Sequence, residues 1–178
     1  VTKILRTLLQ SVLVLLIIAA SLLWYAGFFN TVYITEKHSG PFYAIVQTVH
    51  QQDDPALIRN EIFRILFDRD IISHQALAVV PQPFSKNNQI TRTGWIVSSA
   101  DIQLASELDF PHQVLKIPAQ QRIIADVAYN NPFSIFSGSI IVYKKLRKFL
   151  LKEKKTPGIM YEIYDDADNR IFYHLSTK

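Results

Sequence analysis

The chain has 178 residues, a formal net charge of +4, 49% hydrophobic residues, five glycines and no cysteine. Those figures suit one compact domain with an appendage and exclude collagen-like and low-complexity chains; the lack of thiols excludes a disulfide framework, a cysteine zinc site and thiol catalysis. The charge is uneven, since Lys144 to Lys155 holds seven basic residues against one Glu.

From Thr7 to Thr35 there is no charged side chain, and residues 8–29 are dominated by Leu, Val, Ile, Ala and aromatics. About 20 apolar helical residues cross the ~30 Å hydrocarbon layer, so residues 1–30 read as a single-pass transmembrane signal anchor in contact with the bilayer through 8–29. Trp24 and Tyr25 fit an interfacial belt. A cleaved signal peptide is the rival reading, with Lys3 and Arg6 as its basic start. Against it, the apolar run exceeds the ~7 to 15 residues of a typical signal, and only Ala19-Ala20-Ser21 offers a weak cleavage site. Lys3 and Arg6 outweigh Lys37 on the other flank, which places the N-terminus in the cytoplasm and residues 31–178 in the periplasm or its equivalent.

After Asn30 the pattern turns to alternation over 32–37, a strand, ending in the turn His38-Ser39-Gly40-Pro41-Phe42. Pro41 suits a first helical position, and Phe42, Ile45, Val46 and Val49 recur at i, i+3, i+4 and i+7, which predicts a helix. Pro55 interrupts it; Asp54 caps a second helical piece with Ile58, Ile62, Ile65 and Leu66 on one face. Ala76 to Val80 and Trp95 to Ser99 read as strands joined by a long polar hairpin loop, Pro81 to Gly94. Arg122 to Tyr129 alternates again, Asn130-Asn131-Pro132-Phe133 turns the chain, and Phe136, Ile140, Tyr143 and Leu150 mark a helix to about Lys152. Thr156-Pro157-Gly158 stops it, and Ile159 to Tyr164 and Arg170 to Ser176 supply closing strands.

Setting Pro41-Phe42 over Pro132-Phe133 gives an offset of 91 residues and the order strand, turn, helix, strand, strand in both halves, about 31–100 and 113–178. Chance is the competing account of so short a match. The expected fold class is α+β either way: duplicated βαββ units forming an antiparallel sheet with helices on one face, preceded by one transmembrane helix.

The anchor, His38-x-Gly40-Pro41-Phe42 after the first strand, Lys116-Ile117-Pro118-Ala119 before the second half, and the closing Tyr161-Glu162-Ile163-Tyr164-Asp165-Asp166 with Arg170-Ile171-Phe172-Tyr173 resemble the gyrase-inhibitor-like (GyrI-like) small-molecule-binding domain family over residues 31–178. The anchored arrangement is similar to that of the testis-expressed endoplasmic-reticulum-phagy receptor. The resemblance implies a duplicated βαββ fold enclosing a groove, in which a late-strand glutamate among aromatics binds amphipathic, often cationic, molecules; some relatives are hydrolases. Glu162 matches that glutamate. Asn131 departs from the family's usual Gly, and Pro55 splits the first helix. With a chain ending four residues beyond His174, the resemblance implies a bacterial inner-membrane protein.

By alternation Met160, Glu162 and Tyr164 face one side of their strand. A carboxylate there is either exposed or pocketed; if pocketed, its proton affinity rises and it favours a ligand bringing its own positive charge, with rings adding cation–π attraction. Tyr164, Trp95, Tyr129 and Phe42 are the further candidates for the lining. No catalytic residue is assigned, since Gly-x-Ser-x-Gly is absent and Ser137-Gly138-Ser139 lies inside a helical pattern. The five His residues, at 38, 50, 74, 112 and 174, show no metal-ligand spacing, and no metal or cofactor is expected. Lys144, Lys145, Arg147 and Lys148 form either a solvated helix face or a contact with anionic lipid. Nucleic acid is not expected, for no phosphate-binding loop or recognised nucleic-acid motif occurs. The sequence therefore supports a membrane-anchored binding domain for a small amphipathic, cationic or lipid-derived ligand, with a protein-docking module as the alternative and hydrolysis a third reading.

Overall fold

The computed structural model describes residues 2–85, 89–129 and 131–177, with side chains from residue 5 onward; Asn130 of the predicted turn and the side chain of Lys3 lie outside these. An N-terminal helix α1 (Thr2–Tyr25) precedes β1 (Tyr33–Ser39), β2 (Phe42–Thr48), α2 (Pro55–Phe67), β3 (Gln75–Val80), β4 (Arg92–Val97) and the short α3 (Ile102–Ser106). The chain continues through β5 (Gln113–Ile117), β6 (Gln120–Ala128), α4 (Pro132–Glu153), β7 (Pro157–Asp165) and β8 (Arg170–Thr177). The fold is α+β, as expected. All the strands join one antiparallel sheet in the order β1-β6-β8-β7-β3-β4-β2-β5.

That order reads the same from either end when β1 is exchanged with β5, β2 with β6, β3 with β7 and β4 with β8. Both principal helices begin alike. Asp54 accepts from the Ala56 amide at 2.8 Å ahead of Pro55, and Asn131 accepts from the Ser134 amide at 2.9 Å ahead of Pro132. In each case a cap side chain satisfies an orphan N–H and proline takes a position whose N–H has no helical partner.

The predicted helix over Phe42 to Val49 is corrected: Phe42 to Thr48 form strand β2. The 91-residue offset falls with it, because it sets a strand over the start of α4. Matching elements lie closer, Pro132 standing 77 positions after Pro55 and Arg170 78 after Arg92. The strand read as Trp95 to Ser99 also lies earlier, at Arg92 to Val97.

The sheet is rolled. Strands β2 and β8 stand four places apart, which in a flat sheet means roughly 19 Å, yet the Phe42 and His174 rings are 5.5 Å apart. The connections β1–β2 and β5–β6 require this, since each carries the chain from one side of the sheet to the other within two residues. They touch: a Cβ on Gly40, whose φ is +93°, would stand 3.1 Å from the Pro118 carbonyl oxygen. The buried Arg122 holds both, donating to the Ser39 carbonyl at 2.6 Å and to the Pro118 carbonyl at 2.6 Å.

The inner face of the roll packs Ala44, Val46, Leu77, Val79, Ile117 and Ile163. The outer face carries both principal helices, α2 over Ile45, Ala76 and Trp95 and α4 over Ile123, Val127, Ile171 and Tyr173. Between them runs a groove floored by the central pair β3 and β7, where Ala78 stands opposite Glu162.

Helix α1 stands apart. Leu5 to Tyr25 is long and apolar enough to cross a membrane, as an anchor or a signal sequence would be, and no part of it is buried in the protein. Its end is built into the domain. Asn131 donates to the Tyr25 carbonyl at 2.7 Å, Ser137 to the Ala26 carbonyl, and Asn30 to the Ala128 carbonyl at 2.8 Å.

Candidate functional site

Strand β7 reaches the groove with Met160, Glu162 and Tyr164 on its outer face, while Tyr161 and Ile163 point into the roll. Glu162 is 5% exposed. One carboxylate oxygen accepts from the Tyr164 hydroxyl at 2.7 Å and the other from the Tyr143 hydroxyl at 2.9 Å. Among the described residues it has no ion-pair partner. Burial raises its pKa, and the two tyrosine bonds and the charge of Arg59 oppose that rise. The Arg59 guanidinium, on α2, lies over the Tyr164 ring at 5.1 Å.

The tyrosines are fixed as donors. Burial and the neighbouring carboxylate raise the pKa of Tyr143, Tyr164 and Tyr173, so their hydroxyls keep their protons at neutral pH. Tyr173, directly across the strand pair from Glu162, hydrogen-bonds Ser139 of α4 at 2.9 Å and meets Tyr143 edge to face at 6.2 Å. A cavity of about 470 Å³ opens above this group, lined by Val80, Ile90, Ser139, Ile140, Tyr143 and Glu162. Its chemistry is a carboxyl group at the base of an apolar, ring-bearing recess, an arrangement able to receive a cation.

Of the sequence candidates, Glu162 and Tyr164 come together here. Trp95 sits on the same face two strands from β7, under α2, where its indole donates to the Arg59 carbonyl at 2.7 Å; it supports the residue over Tyr164 and does not line the cavity. Tyr129 donates to Asp166 at 2.6 Å at the end of β6, away from the recess. Phe42 is corrected outright: it lies on the inner face of the roll against His174, with the sheet between it and Glu162. Sequence reasoning missed Tyr143 as a hydrogen-bond donor to Glu162, and the bonded pair Ser139 and Tyr173 beside it. The i, i+4 spacing of Ser139 and Tyr143 was the available signal, because it sets both on one helical face.

Fold and site together define an α+β domain preceded by one apolar helix: a rolled eight-stranded sheet, two helices across its outer face, and a carboxyl group in the groove they leave. No protein-family model matches the chain, and no curated protein matches it. Among solved structures it is similar to an integron cassette protein from the mobile metagenome of Vibrio cholerae, with 10% identity, a TM-score of 0.50 and coverage of 83% of this chain and 99% of that one. An uncharacterised conserved protein from Listeria innocua aligns with 82% of this chain and 92% of its own at 9% identity and a TM-score of 0.45. The regulatory subunit of aspartate kinase from Thermus flavus aligns with 81% of this chain and 86% of its own at 12% identity and a TM-score of 0.39. The Vibrio likeness concerns the fold alone, and none of the three is described as gyrase-inhibitor-like.

Proposed function

We propose that the protein is a membrane-anchored, non-enzymatic binding domain of gyrase-inhibitor-like type that takes a small amphipathic cation in the groove between α2 and α4. The observation that carries this reading is Glu162, a buried carboxyl group bonded, among the described residues, to two neutral hydroxyls and facing an apolar cavity. Burying it costs stability unless a charge arrives to compensate it. A cationic ligand supplies that charge, and the Tyr143 ring in the cavity lining adds cation–π attraction. Because burial raises the pKa of Glu162, cation binding releases a proton and strengthens as pH rises through that pKa.

A duplicated architecture is part of the proposal, with one more strand per unit than the expected βαββ: β1-β2-α2-β3-β4 and β5-β6-α4-β7-β8. It is supported by the palindromic strand order and by the paired caps Asp54-Pro55 and Asn131-Pro132. The anchor reading of α1 is supported by the way its last turn joins the domain. With Lys3 and Arg6 on the cytoplasmic side, the domain lies outside a bacterial inner membrane, where Lys144, Lys145, Arg147 and Lys148 reach anionic headgroups.

The test is titration of the full chain in nanodiscs with a fluorescent rhodamine cation, using empty discs as control. The Glu162→Gln variant should lose roughly 100-fold in affinity, or about 2.7 kcal/mol. An uncharged analogue should not distinguish the two proteins. Equal binding of the cation to both, or to neither, would overturn the reading. A protein-docking module is the second reading, favoured by the exposed Phe63, Phe67 and Ile72 at the end of α2. Capture of a partner that is lost in Phe67→Ser but kept in Glu162→Gln would establish it.

A further inference from the structure

The first turns of α4 carry their largest side chains outward. Phe133 is 68% exposed, Phe136 71% and Ile140 47%. They share one helical face at i, i+3 and i+7, while Ser134, Ser137 and Gly138 on the other face are buried. A pair of exposed phenylalanines at a helix start has no folding rationale, because each ring leaves apolar area in water. Their position supplies one. The cap residue Asn131 is bonded to the Tyr25 carbonyl and Ser137 to the Ala26 carbonyl, so Phe133 and Phe136 stand beside the end of the apolar α1. A Cβ on Gly27 would come within 2.8 Å of the Ser134 Cβ, which shows how closely the two segments are joined. Trp24, Tyr25, Phe28 and Phe29 are exposed at the same end.

The same face of α4 then changes character, continuing with Lys144, Arg147 and Lys148, all exposed. At 1.5 Å per residue, Lys144 lies about 12 Å beyond Phe136 along the helix. The polar layer on each side of a bilayer is about 6 Å thick. A tilted helix whose first turns enter that layer therefore places its bases at the level of the phosphates.

We infer that the Phe133, Phe136 and Ile140 face of α4 is a second membrane contact, sunk into the interfacial layer of an anionic bilayer beside the anchor. The inference rests on the reading of α1 as a membrane anchor. Two contacts fix the orientation of the domain, where a single span would leave it free to rotate. Ile140 also lines the cavity above Glu162, so the mouth of the recess lies at the membrane surface and a ligand enters it from the leaflet.

The absence of cysteine makes the test direct. Leu15→Cys, Phe136→Cys and Leu57→Cys are exposed positions on α1, α4 and α2. Each is labelled with an environment-sensitive fluorophore in the full chain and reconstituted into phosphatidylcholine–phosphatidylglycerol vesicles bearing nitroxides at shallow or deep positions. The expected result is quenching of the Leu15 probe by deep nitroxides, quenching and a blue shift of the Phe136 probe with shallow ones, and no quenching at Leu57. If Leu15 is quenched while Phe136 behaves like Leu57, the second contact is overturned and the anchor stands. If neither Leu15 nor Phe136 is quenched, the anchor reading falls and takes the inference with it.

Discussion

The two halves of the sheet use one scaffold for different ends. In the first, Trp95 on β4 packs beneath α2 and donates its indole N–H to the Arg59 carbonyl. In the second, Tyr173 on β8 packs beneath α4 and bonds Ser139. Each is a large ring whose polar tip is satisfied by the helix above it, which buries area without orphaning a donor. Their cross-strand neighbours differ: Ala76 faces Trp95, whereas Glu162 faces Tyr173. The scaffold stands with alanine in the first half, so the architecture does not call for a carboxylate in the second. The difference separates what folds the domain from what forms the candidate site.

Three further experiments press on that comparison. The largest effect is expected at Gly94, whose place 78 positions later is held by Phe172. A Cβ on Gly94 would stand 1.8 Å from the Ile45 carbonyl oxygen, so Gly94→Ala should force β4 from β2 and cost more than about 4 kcal/mol. Phe172→Ala, at a half-buried ring, should cost about 2 kcal/mol. Urea denaturation of both variants measures the contrast.

The second concerns His174, which corresponds to Ile96 on the inner face of the roll. Burial, with Arg122 and Lys37 nearby, lowers the His174 pKa to about 4 from the ordinary 6.5. Protonation then favours the unfolded chain, so stability is whole above pH 6.5 and declines as pH falls toward 4, by about 3 kcal/mol. His174→Ile should make the halves alike and remove that decline. An unchanged pH profile in the variant would assign the loss to other groups.

The smallest effect is at the caps. Asp54→Ala should cost about 1 kcal/mol, and Asn131→Ala up to about 2 kcal/mol because its amide also holds the end of α1. Equal costs in the full chain would mean that the junction contributes nothing to stability.

Much of the second half was legible in the sequence. The helix over Phe136 to Leu150 and the facing of Glu162 with Tyr164 follow from periods of 3.6 and 2 that remain clean where one face is buried. Strand β2 defeated the same reasoning. Its outer face lies under α2 and its inner face inside the roll, so Phe42 to Val46 is apolar throughout and fits a helical period as well as a strand. Strand β5, a mostly exposed edge, and α3, only five residues long, left too little pattern to read. The facing of Glu162 follows from alternation, and its choice as a candidate from the resemblance. The nearness of Tyr143 and Tyr173 follows from neither, because only the sheet register and the seating of α4 bring them to it.

The crossed connections have a consequence for synthesis. Strand β1 pairs with β6, so Tyr33 must wait for Asp126, and β2 pairs with β5 across a similar stretch of chain. Neither half can finish its own sheet. On the ribosome, the segment that follows the apolar helix leaves the tunnel with its edge unpaired until nearly a hundred more residues have been made. Such long-range pairing slows folding and lengthens exposure to aggregation. The unpaired edges of β1 and β2 are therefore the segments most exposed to wrong pairing until β5 and β6 have been made.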